Sequence, residues 1–261
     1  MSYQHCKLEA KGRTLVVTLN RPDQRNALNP PANHELGEVF DAFENNPEYW
    51  VAIVTGEGSK AFCAGADLKS HPEDGGVNFV PASGFAGLTS RYARRKPVIA
   101  AVNGFATGGG FELALACDII VASETAKFGL TEPRVGLAAL GGGIQRLIRE
   151  IGLKRAHAML LTGRLCSAEE GLRLGFVNEV VSPGELIASA LRWADEIAQC
   201  SPASIYATKA VANALDGQSV QAAVENMLTL PAVKALFKSP DAQEGPRAFA
   251  EKRAPRWSDP S

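Results

Sequence analysis

The chain has 261 residues, of which 46% are hydrophobic and 21% are charged, an ordinary globular balance that argues against intrinsic disorder. This length allows one large domain, or a large domain with a small appendage. The formal net charge of −1, from 27 Lys and Arg against 28 Asp and Glu, lacks the basic excess of a dedicated nucleic-acid-binding protein.

Short apolar strands alternate with helices in the first half of the chain. Runs rich in β-branched residues predict strands at 13–20, 50–55, 97–103 and 118–122. Asn29 is placed to cap a helix that Pro30 or Pro31 opens, and a second helix is predicted over 109–116. A glycine-rich stretch over 70–87 is typical of a long loop that folds over a site. This alternation indicates an α/β core whose strands are covered on both faces.

The second half is predicted to be mainly helical. Two Ser-x-x-Glu patterns, beginning at Ser167 and Ser182, match the capping box, in which serine and glutamate satisfy free N–H groups at a helix start. A short strand is predicted between them at 176–181. From residue 202 onward only helical patterns remain. We therefore expect a core over 1–201 and a helical C-terminal subdomain over 202–261.

The cysteines and the N-terminus bear on the compartment. Five cysteines are scattered along the chain without a CxxC pair: Cys6, Cys63, Cys117, Cys166 and Cys200. This pattern predicts neither a zinc site nor a disulfide framework, and free thiols suit a reducing compartment. Residues 1–9 lack the apolar centre of a signal peptide, and no apolar run approaches the roughly 20 residues that span a bilayer. We expect a cytoplasmic protein.

Three consecutive glycines, Gly108 to Gly110, stand just before Glu112 at the predicted start of a helix. Glycine has no side chain, so a ligand can approach the backbone closely there. The first N–H groups of a helix have no internal acceptor and lie at the positive end of its dipole, so they suit a negatively charged oxygen. Glu112 is expected about one turn inside this helix, close to the anion site but free to act on a neighbouring atom.

Each of these features, taken alone, has a structural explanation. A glycine run is common in turns, and an acid in the first turn of a helix complements the helix dipole. Glu132, next to Pro133, would by itself be a solvated loop acid. A nucleotide site fits less well, because the chain has neither GxxxxGK[ST] nor GxGxxG in a βαβ unit.

The combination of motifs, in this order and spacing, resembles the enoyl-CoA hydratase/isomerase (crotonase) superfamily. The matching segments are RPDQRNALN from Arg21, AFCAGADLK from Ala61, KPVIAAVNG from Lys96, GGGFELALACD from Gly108, FGLTEPRVG from Phe128, LTGRLCSAEEGLRLGFVNEVV from Leu161 and EGPRAFAEKR from Glu244. The resemblance covers nearly the whole chain, and it is specific because several independent motifs agree.

The resemblance implies an α/β fold in which ββα units form a spiral, followed by a helical C-terminal region that makes a homotrimer or a dimer of trimers. It implies an oxyanion hole in which the amides of Ala66 and Gly109 receive a thioester carbonyl oxygen. It also implies two catalytic glutamates, matched here by Glu112 and Glu132. The stretch expected to contact CoA consists of Ala66, Asp67, Leu68 and Lys69.

The expected reaction is the addition of water across the conjugated double bond of a 2-enoyl-CoA thioester. Two amide donors would stabilise the enolate oxygen that forms on attack at the β-carbon. We assign Glu112 to water activation and Glu132 to proton delivery at the α-carbon, which requires that their environments separate their pKa values. Neither a metal nor a cofactor beyond the CoA of the substrate is expected.

Two departures from the family pattern concern the second glutamate and its surroundings. Thr131 stands where many relatives have proline, and Pro133 follows Glu132, which moves the restriction on φ to the other side of the carboxylate. The stretch LAALGGG from Leu137 replaces a commoner proline-containing stretch. The segment FGLTEPRVGLAAL from Phe128 and the ending EGPRAFAEKR from Glu244 look more like hydratases of branched or functionalised acyl-CoAs, including carnitinyl-CoA dehydratase-like proteins, than like the short-chain β-oxidation enzyme.

Basic residues offer further binding hypotheses. Arg25 and Lys69 are candidate partners for CoA phosphates, since arginine offers bidentate donors and lysine a mobile charge. Surface solubility explains either residue equally well. A cluster before a predicted strand, Arg91, Arg94, Arg95 and Lys96, is predicted to be a solvated helix end, with a polyanion-binding patch as the alternative.

Two other functions remain open from the sequence. A double-bond isomerase of the same superfamily needs only one acid–base group on one face, whereas two matched glutamates favour hydration. A CoA-thioester-binding or RNA-binding protein that has lost catalysis is the alternative from a different class. The presence of both glutamates and the near-neutral charge argue against it.

Overall fold

A computed structural model describes residues 3–70 and 80–258. The predicted loop over 70–87 therefore falls partly outside the described residues, since 71–79 are not among them. Strands occupy β1 (Cys6–Lys11), β2 (Thr14–Leu19), β3 (Val51–Gly56), β4 (Ala61–Cys63), β5 (Val98–Val102), β6 (Phe105–Thr107), β7 (Ile119–Ser123), β8 (Lys127–Gly129), β9 (Cys166–Ser167) and β10 (Glu179–Val181). The strands predicted at 13–20, 50–55, 97–103 and 118–122 are confirmed as β2, β3, β5 and β7. The strand predicted at 176–181 is present but shorter, as β10.

Helices follow or separate these strands. They are α1 (Pro30–Asn45), α2 (Gly109–Ala116), α3 (Gly143–Ile151), α4 (Leu153–Leu160), α5 (Ala168–Leu174), α6 (Leu186–Ala198), α7 (Pro202–Ala214), α8 (Val220–Met227), α9 (Pro231–Lys238) and α10 (Asp241–Ala250). Among the described helices, none combines the length and the apolar character that crossing a bilayer requires.

Two sheets share the strands in alternation. The larger sheet has the order β1-β2-β3-β5-β7-β10, and the smaller has the order β4-β6-β8-β9. Apart from the hairpin β1–β2 and the pair β8–β9, the described pairings are parallel. Each repeat thus sends one strand into the large sheet and the next into the small one, which is the ββα spiral expected from the sequence.

The strands of the large sheet are apolar on both faces because both faces are covered. In β3, Ala52 and Val54 belong to the core between the sheets, whereas Val51 and Ile53 pack into the core beneath α6. Parallel strands covered on both sides carry nearly continuous apolar sequence, which explains the absence of a polar alternation in the run that forms β3. These two cores hold the ends of the strands, and the loops that follow them, in fixed positions.

The predicted helix caps have different outcomes. The side chain of Asn29 accepts a hydrogen bond from the Ala32 amide at 3.1 Å, which confirms the cap of α1. Ser167 accepts from the Glu170 amide at 3.1 Å and caps α5 in the same way. The prediction at Ser182 is wrong, because its hydroxyl donates to the Glu185 carboxylate at 2.7 Å and no side-chain cap forms.

From Pro202 to Ala250 the chain consists of helices α7 to α10 and the short segments that join them. Several of their large apolar side chains face solvent, including Val220 at 81% and Phe249 at 88% exposure. The proposed division between 1–201 and 202–261 stays a prediction. Side chains from both sides of it are in contact, since the Lys209 ammonium pairs with the Asp118 carboxylate.

The basic cluster before β5 is not a solvated helix end, so that prediction is wrong. Arg94 and Lys96 are buried, and the side chains are engaged. Their partners are Asp41 for Arg91, Asp118 for Arg94, Glu44 for Arg95, and the carbonyl oxygens of Phe43 and Asn46 for Lys96. Lys96 thus satisfies carbonyl groups at the C-terminal end of α1, where a helix lacks internal donors and favours positive charge.

We expect Lys96→Met to lower the free energy of unfolding by about 2 to 3 kcal/mol, because it leaves the buried Phe43 carbonyl and the partly buried Asn46 carbonyl without their charged donor. Chemical denaturation at equal protein concentration measures the effect. Lys60→Met is the control, since Lys60 is exposed and should change stability by less than about 0.5 kcal/mol. A loss at Lys96 no larger than in this control would contradict the capping role.

Candidate active site

The start of α2 packs backbone against backbone on the segment that follows β4. A Cβ atom on Gly110 would overlap the Cys63 carbonyl oxygen, and one on Gly65 would lie 3.1 Å from the Gly109 nitrogen. Gly65 and Gly108 also have positive φ angles, +89° and +56°, which favour glycine. Glycine is therefore required on both sides of the contact, and the segments AGAD and GGG are brought together.

The amides of Ala66 and Gly109 have no acceptor among residues 3–70 and 80–258. Ala66 forms a bridge with Leu28, but the bonds of that bridge use the Gly65 carbonyl and the Asp67 amide and leave the Ala66 N–H out. Gly109 opens α2, where an N–H group has no partner within the helix. Both predicted oxyanion donors are thus unpaired within the described part of the chain.

The ring of Phe85 forms a wall against the second of these donors. A Cβ atom on Gly109 would lie 2.9 Å from the ring. Phe85 is 7% exposed, and its amide donates to the Thr89 hydroxyl at 2.9 Å. The sequence did not single out this residue, because an isolated phenylalanine in a glycine-rich loop carries no local sign of where its ring will lie.

Glu112 lies inside α2 with only 5% of its surface exposed. Its Oε1 accepts a hydrogen bond from the Gly143 amide at 2.9 Å. Burial raises the pKa of this carboxyl, while the backbone donors of Gly143 and Gly141 and the nearby charge of Arg146 oppose that rise. The environment therefore holds the carboxylate by hydrogen bonds and a positive charge as well as desolvating it.

Glu132 opens a 3-10 turn (Glu132–Val135) and reaches back toward the glycines. A Cβ atom on Gly108 would lie 3.5 Å from its Oε1, and its Oε2 is buried without a partner among the described residues. Burial raises the pKa of Glu132 to about 7, and the repulsion of Glu112 adds to this effect. Glu132 is therefore not the solvated loop acid that its sequence context alone suggests.

The two carboxyls share one site but have unequal surroundings. Both are desolvated, but Glu112 alone has an arginine as a source of positive charge. When two acids lie close together in a low-dielectric site, the proton stays on the one with less support for its negative charge. The proton is therefore favoured on Glu132 rather than on Glu112.

The remaining predicted binding residues lie at the edge of this site. Asp67 is nearly buried in an ion pair with Arg21, whose guanidinium approaches its carboxylate at 2.9 Å. Leu68 and Lys69 are exposed on a 3-10 turn (Leu68–Ser70). Arg25 is also exposed, and its carbonyl oxygen accepts from the Ala64 amide at 3.1 Å, so its backbone adjoins the same segment. The Asp67 carboxylate thus holds its own segment in place through Arg21, while the side chains of Arg25 and Lys69 are exposed to solvent.

Arg146 and the amide of Gly143 are site groups that the sequence analysis missed. In the sequence, the glycine run Gly141 to Gly143 stands out only as part of the LAALGGG stretch. Its position at the start of α3 is an available signal, because unpaired amides at a helix start suit a carboxylate from elsewhere in the chain. Nothing local, however, shows which carboxylate would reach it.

Comparisons with known proteins identify the family that the chain matches. A family model described as enoyl-CoA hydratase/isomerase matches residues 9–260. Carnitinyl-CoA dehydratase of Proteus mirabilis is 43% identical over 257 residues, which cover 97% of this chain and 98% of that protein. The protein of the same name from Salmonella typhi is 44% identical over 254 residues, covering 96% and 97%.

Solved structures are similar over nearly the full length. Enoyl-CoA hydratase from Mycobacterium tuberculosis H37Rv superposes with a TM-score of 0.90 at 38% identity, covering 98% of this chain and 99% of that one. Carnitinyl-CoA hydratase from Mycobacterium avium gives a TM-score of 0.77 at 41% identity, with the same coverage.

The raised pKa of Glu132 predicts a pH-dependent stability difference for Glu132→Gln. Between the ordinary value near 4.5 and about 7, the folded protein binds more protons than the unfolded chain, so wild-type stability falls as pH rises through this range. We expect Glu132→Gln to be more stable than wild type by about 1 to 2 kcal/mol at pH 8, less than the full linkage value because the carboxyl is partly exposed.

Denaturation at pH 4.5 and pH 8 measures this difference, which should nearly vanish at the lower pH. Glu124→Gln is the matched control, because Glu124 is exposed. A stability difference of the same size at both pH values would show that Glu132 is not held in its protonated form by the fold.

Proposed function

Because the chain belongs to the enoyl-CoA hydratase/isomerase family, we propose that it catalyses the reversible addition of water to a 2-enoyl-CoA thioester. Its α/β crotonase-type fold, predicted from the sequence, is confirmed by the solved structures it resembles. The relatives named carnitinyl-CoA dehydratase and enoyl-CoA hydratase support a hydro-lyase activity.

One observation carries the proposal: two backbone amides, unpaired among the described residues, lie on facing segments, and one of them adjoins a pair of desolvated carboxyls. Gly109 supplies one amide, Glu112 lies in the same helix, and Glu132 contacts the glycine before it. Hydration of a conjugated thioester needs a donor for the carbonyl oxygen together with an acid and a base beside the double bond. This site supplies each of these groups from rigid elements.

The first role is to stabilise the charge that develops on the thioester. Attack of water at the β-carbon moves electrons through the double bond onto the carbonyl oxygen and generates an enolate. We assign the amides of Ala66 and Gly109 to that oxygen. Each donor of this type contributes on the order of 3 kcal/mol to lowering the barrier, and the Phe85 ring against Gly109 limits competing water.

The second role is proton transfer by the two glutamates. The ionised Glu112 accepts a proton from water as its oxygen bonds to the β-carbon, and the protonated Glu132 delivers a proton to the α-carbon. The unequal surroundings of the two carboxyls support this division, because Arg146 and the Gly143 amide favour the negative charge on Glu112. In the reverse reaction, dehydration, the roles exchange.

This mechanism needs no resident cofactor, and none is proposed. The thioester conjugated to the double bond makes the β-carbon electrophilic, so proton transfers and amide donors suffice for the chemistry. Coenzyme A takes part only as the carrier of the acyl group. We propose that Ala66, Asp67, Leu68 and Lys69 contact it through their backbone or side chains, with the exposed cations Arg25 and Lys69 facing its phosphates.

We also propose assembly into trimers or dimers of trimers through the C-terminal helices. Their exposed apolar side chains, such as Val220 and Phe249, support a covered surface in the assembly. The free thiols of all five cysteines support a reducing compartment, and we propose the cytoplasm. Nucleic acid is not proposed as a partner, because the basic cluster at 91–96 is engaged with acids and carbonyls.

The acyl group is best approached through the relatives. Relatives 43% and 44% identical to this chain are named for carnitinyl-CoA, so a γ-functionalised crotonyl group is the first candidate and an unsubstituted short acyl chain the second. A panel of 2-enoyl-CoA esters that includes crotonobetainyl-CoA and crotonyl-CoA would rank them by kcat/KM. Chromatography of the products would separate hydration from isomerisation, the alternative within the family.

We expect Glu112→Gln and Glu132→Gln each to lower kcat by about 100- to 10,000-fold, because the glutamine side chain cannot perform the proton transfer assigned to the glutamate it replaces. Loss of the enoyl-thioester absorbance measures the rate. Glu124→Gln should keep wild-type activity, since Glu124 is exposed after β7. Full activity in either site variant would eliminate the paired-acid mechanism.

The proposed oxyanion hole predicts a preference for a carbonyl group in the ligand itself. We expect S-butyl-CoA, a thioether, to bind about 10- to 100-fold more weakly than butyryl-CoA, because it offers no oxygen to the two amides. Isothermal titration calorimetry compares the dissociation constants on unaltered protein. Equal affinities would show that the amides of Ala66 and Gly109 do not receive the thioester oxygen.

A further inference from the structure

Arg146 lies in α3, one turn after the glycines that contact Glu112, and its side chain points into the protein. One guanidinium nitrogen donates to the Gly141 carbonyl at 3.2 Å, and another donates to the Thr89 carbonyl at 2.7 Å. The two acceptors are far apart in sequence, and neither is a carboxylate. The positive charge is therefore held in place by neutral groups, and no ion pair neutralises it among the described residues.

These two carbonyls belong to the two walls of the proposed active site. Gly141 lies in the segment whose amide at Gly143 donates to Glu112. Thr89 accepts the Phe85 amide through its hydroxyl, and Phe85 places its ring against Gly109. Arg146 thus connects the glycine segment that contacts Glu112 to the loop that places Phe85 against Gly109.

The charged and titratable groups around Glu112 are few. Arg146 faces it from α3, and Glu132 faces it from the 3-10 turn at Glu132–Val135. Around Arg146 itself lie Tyr92, whose ring centroid is 5.9 Å from the guanidinium carbon, Arg94, Cys117 and Glu112. Arg94 is paired with Asp118. Among the described residues, Arg146 is therefore the cation that offsets the negative charge of Glu112.

We propose that Arg146 is a positioning residue for the reaction: its two hydrogen bonds fix the backbone donors on Glu112, and its positive charge stabilises this carboxylate. The proposal rests on the proposed hydratase function for its catalytic meaning. The effect of the Arg146 charge on Glu112 does not depend on that function, because it can be measured in the protein without substrate.

A second arginine on the same helix provides a matched comparison. Arg149 is 66% exposed in its side chain and pairs with Asp216 at 2.8 Å. It has the same formal charge and the same helix context as Arg146 but faces solvent. Removing Arg149 takes one positive charge from α3 without affecting Glu112, because solvent screens an exposed charge. It is therefore the control for the loss of charge alone.

The direct test follows the titration of Glu112 by carbon-13 NMR in protein labelled at the glutamate carboxyls. The Glu112 signal is assigned by its absence in Glu112→Gln. We expect Arg146→Gln to raise the midpoint of this titration by about one pH unit, the lower end of the effect of a nearby charge, and Arg149→Gln to leave it in place. An unchanged midpoint in Arg146→Gln would overturn the proposal.

The kinetic test measures kcat/KM for hydration against pH. The acidic limb reports the base, so Arg146→Gln should move that limb upward by the same amount, whereas a residue that only supports the fold would lower activity equally at all pH values. Arg146→Lys keeps the charge but cannot reach both carbonyls, so its acidic limb should stay near that of wild type while kcat falls.

Two outcomes separate the possible failures. If wild type turns over no 2-enoyl-CoA ester, the proposed function fails, yet the NMR titration still judges the role of Arg146. If Arg146→Gln does not fold, Arg146→Lys decides, because an acidic limb or Glu112 midpoint raised by about one unit despite the retained charge would overturn the proposal.

Discussion

The contact between the backbone after β4 and the first turn of α2 is the constraint on which the site depends. Side chains at Gly65, Gly109 or Gly110 would collide with the opposing segment or with Phe85, so neither segment tolerates another residue without moving apart. The amides of Ala66 and Gly109 lie at this contact and have no acceptor among the described residues. Unpaired donors at rigid positions stabilise a developing negative charge without reorganising, which is the property that hydration of a thioester needs.

The same first turn of α2 carries Glu112, the proposed base. Glu112 is desolvated by the packing of its own helix and is then held by the Gly143 amide and faced by Arg146. Glu132 enters the site from a separate turn and lacks such support. Two acids of ordinary intrinsic strength thus acquire different roles through their surroundings, and burial of both makes each sensitive to the charge of the other.

Support from outside the site gives this arrangement its rigidity. The parallel strands between two apolar cores fix the ends from which the site loops leave, and the ion pair of Arg21 with Asp67 holds the segment that includes Ala66. Arg146 links the loop of Phe85 to the glycines beside Glu112. Catalytic groups on loops keep a fixed geometry only when such contacts restrain them.

The sequence by itself determined the elements whose signal is local. The apolar runs of β2, β3, β5 and β7, the cap at Asn29, and the helix that begins with glycines and contains Glu112 follow from periodicity, capping and backbone freedom within a few residues. Tertiary structure alone decided the burial of Lys96, the place of the Phe85 ring, the pKa of Glu132 and the approach of Arg146 to the Glu112 segment. Each of these depends on residues distant in the chain that the fold brings together, because desolvation and charge interactions are set by separation in space.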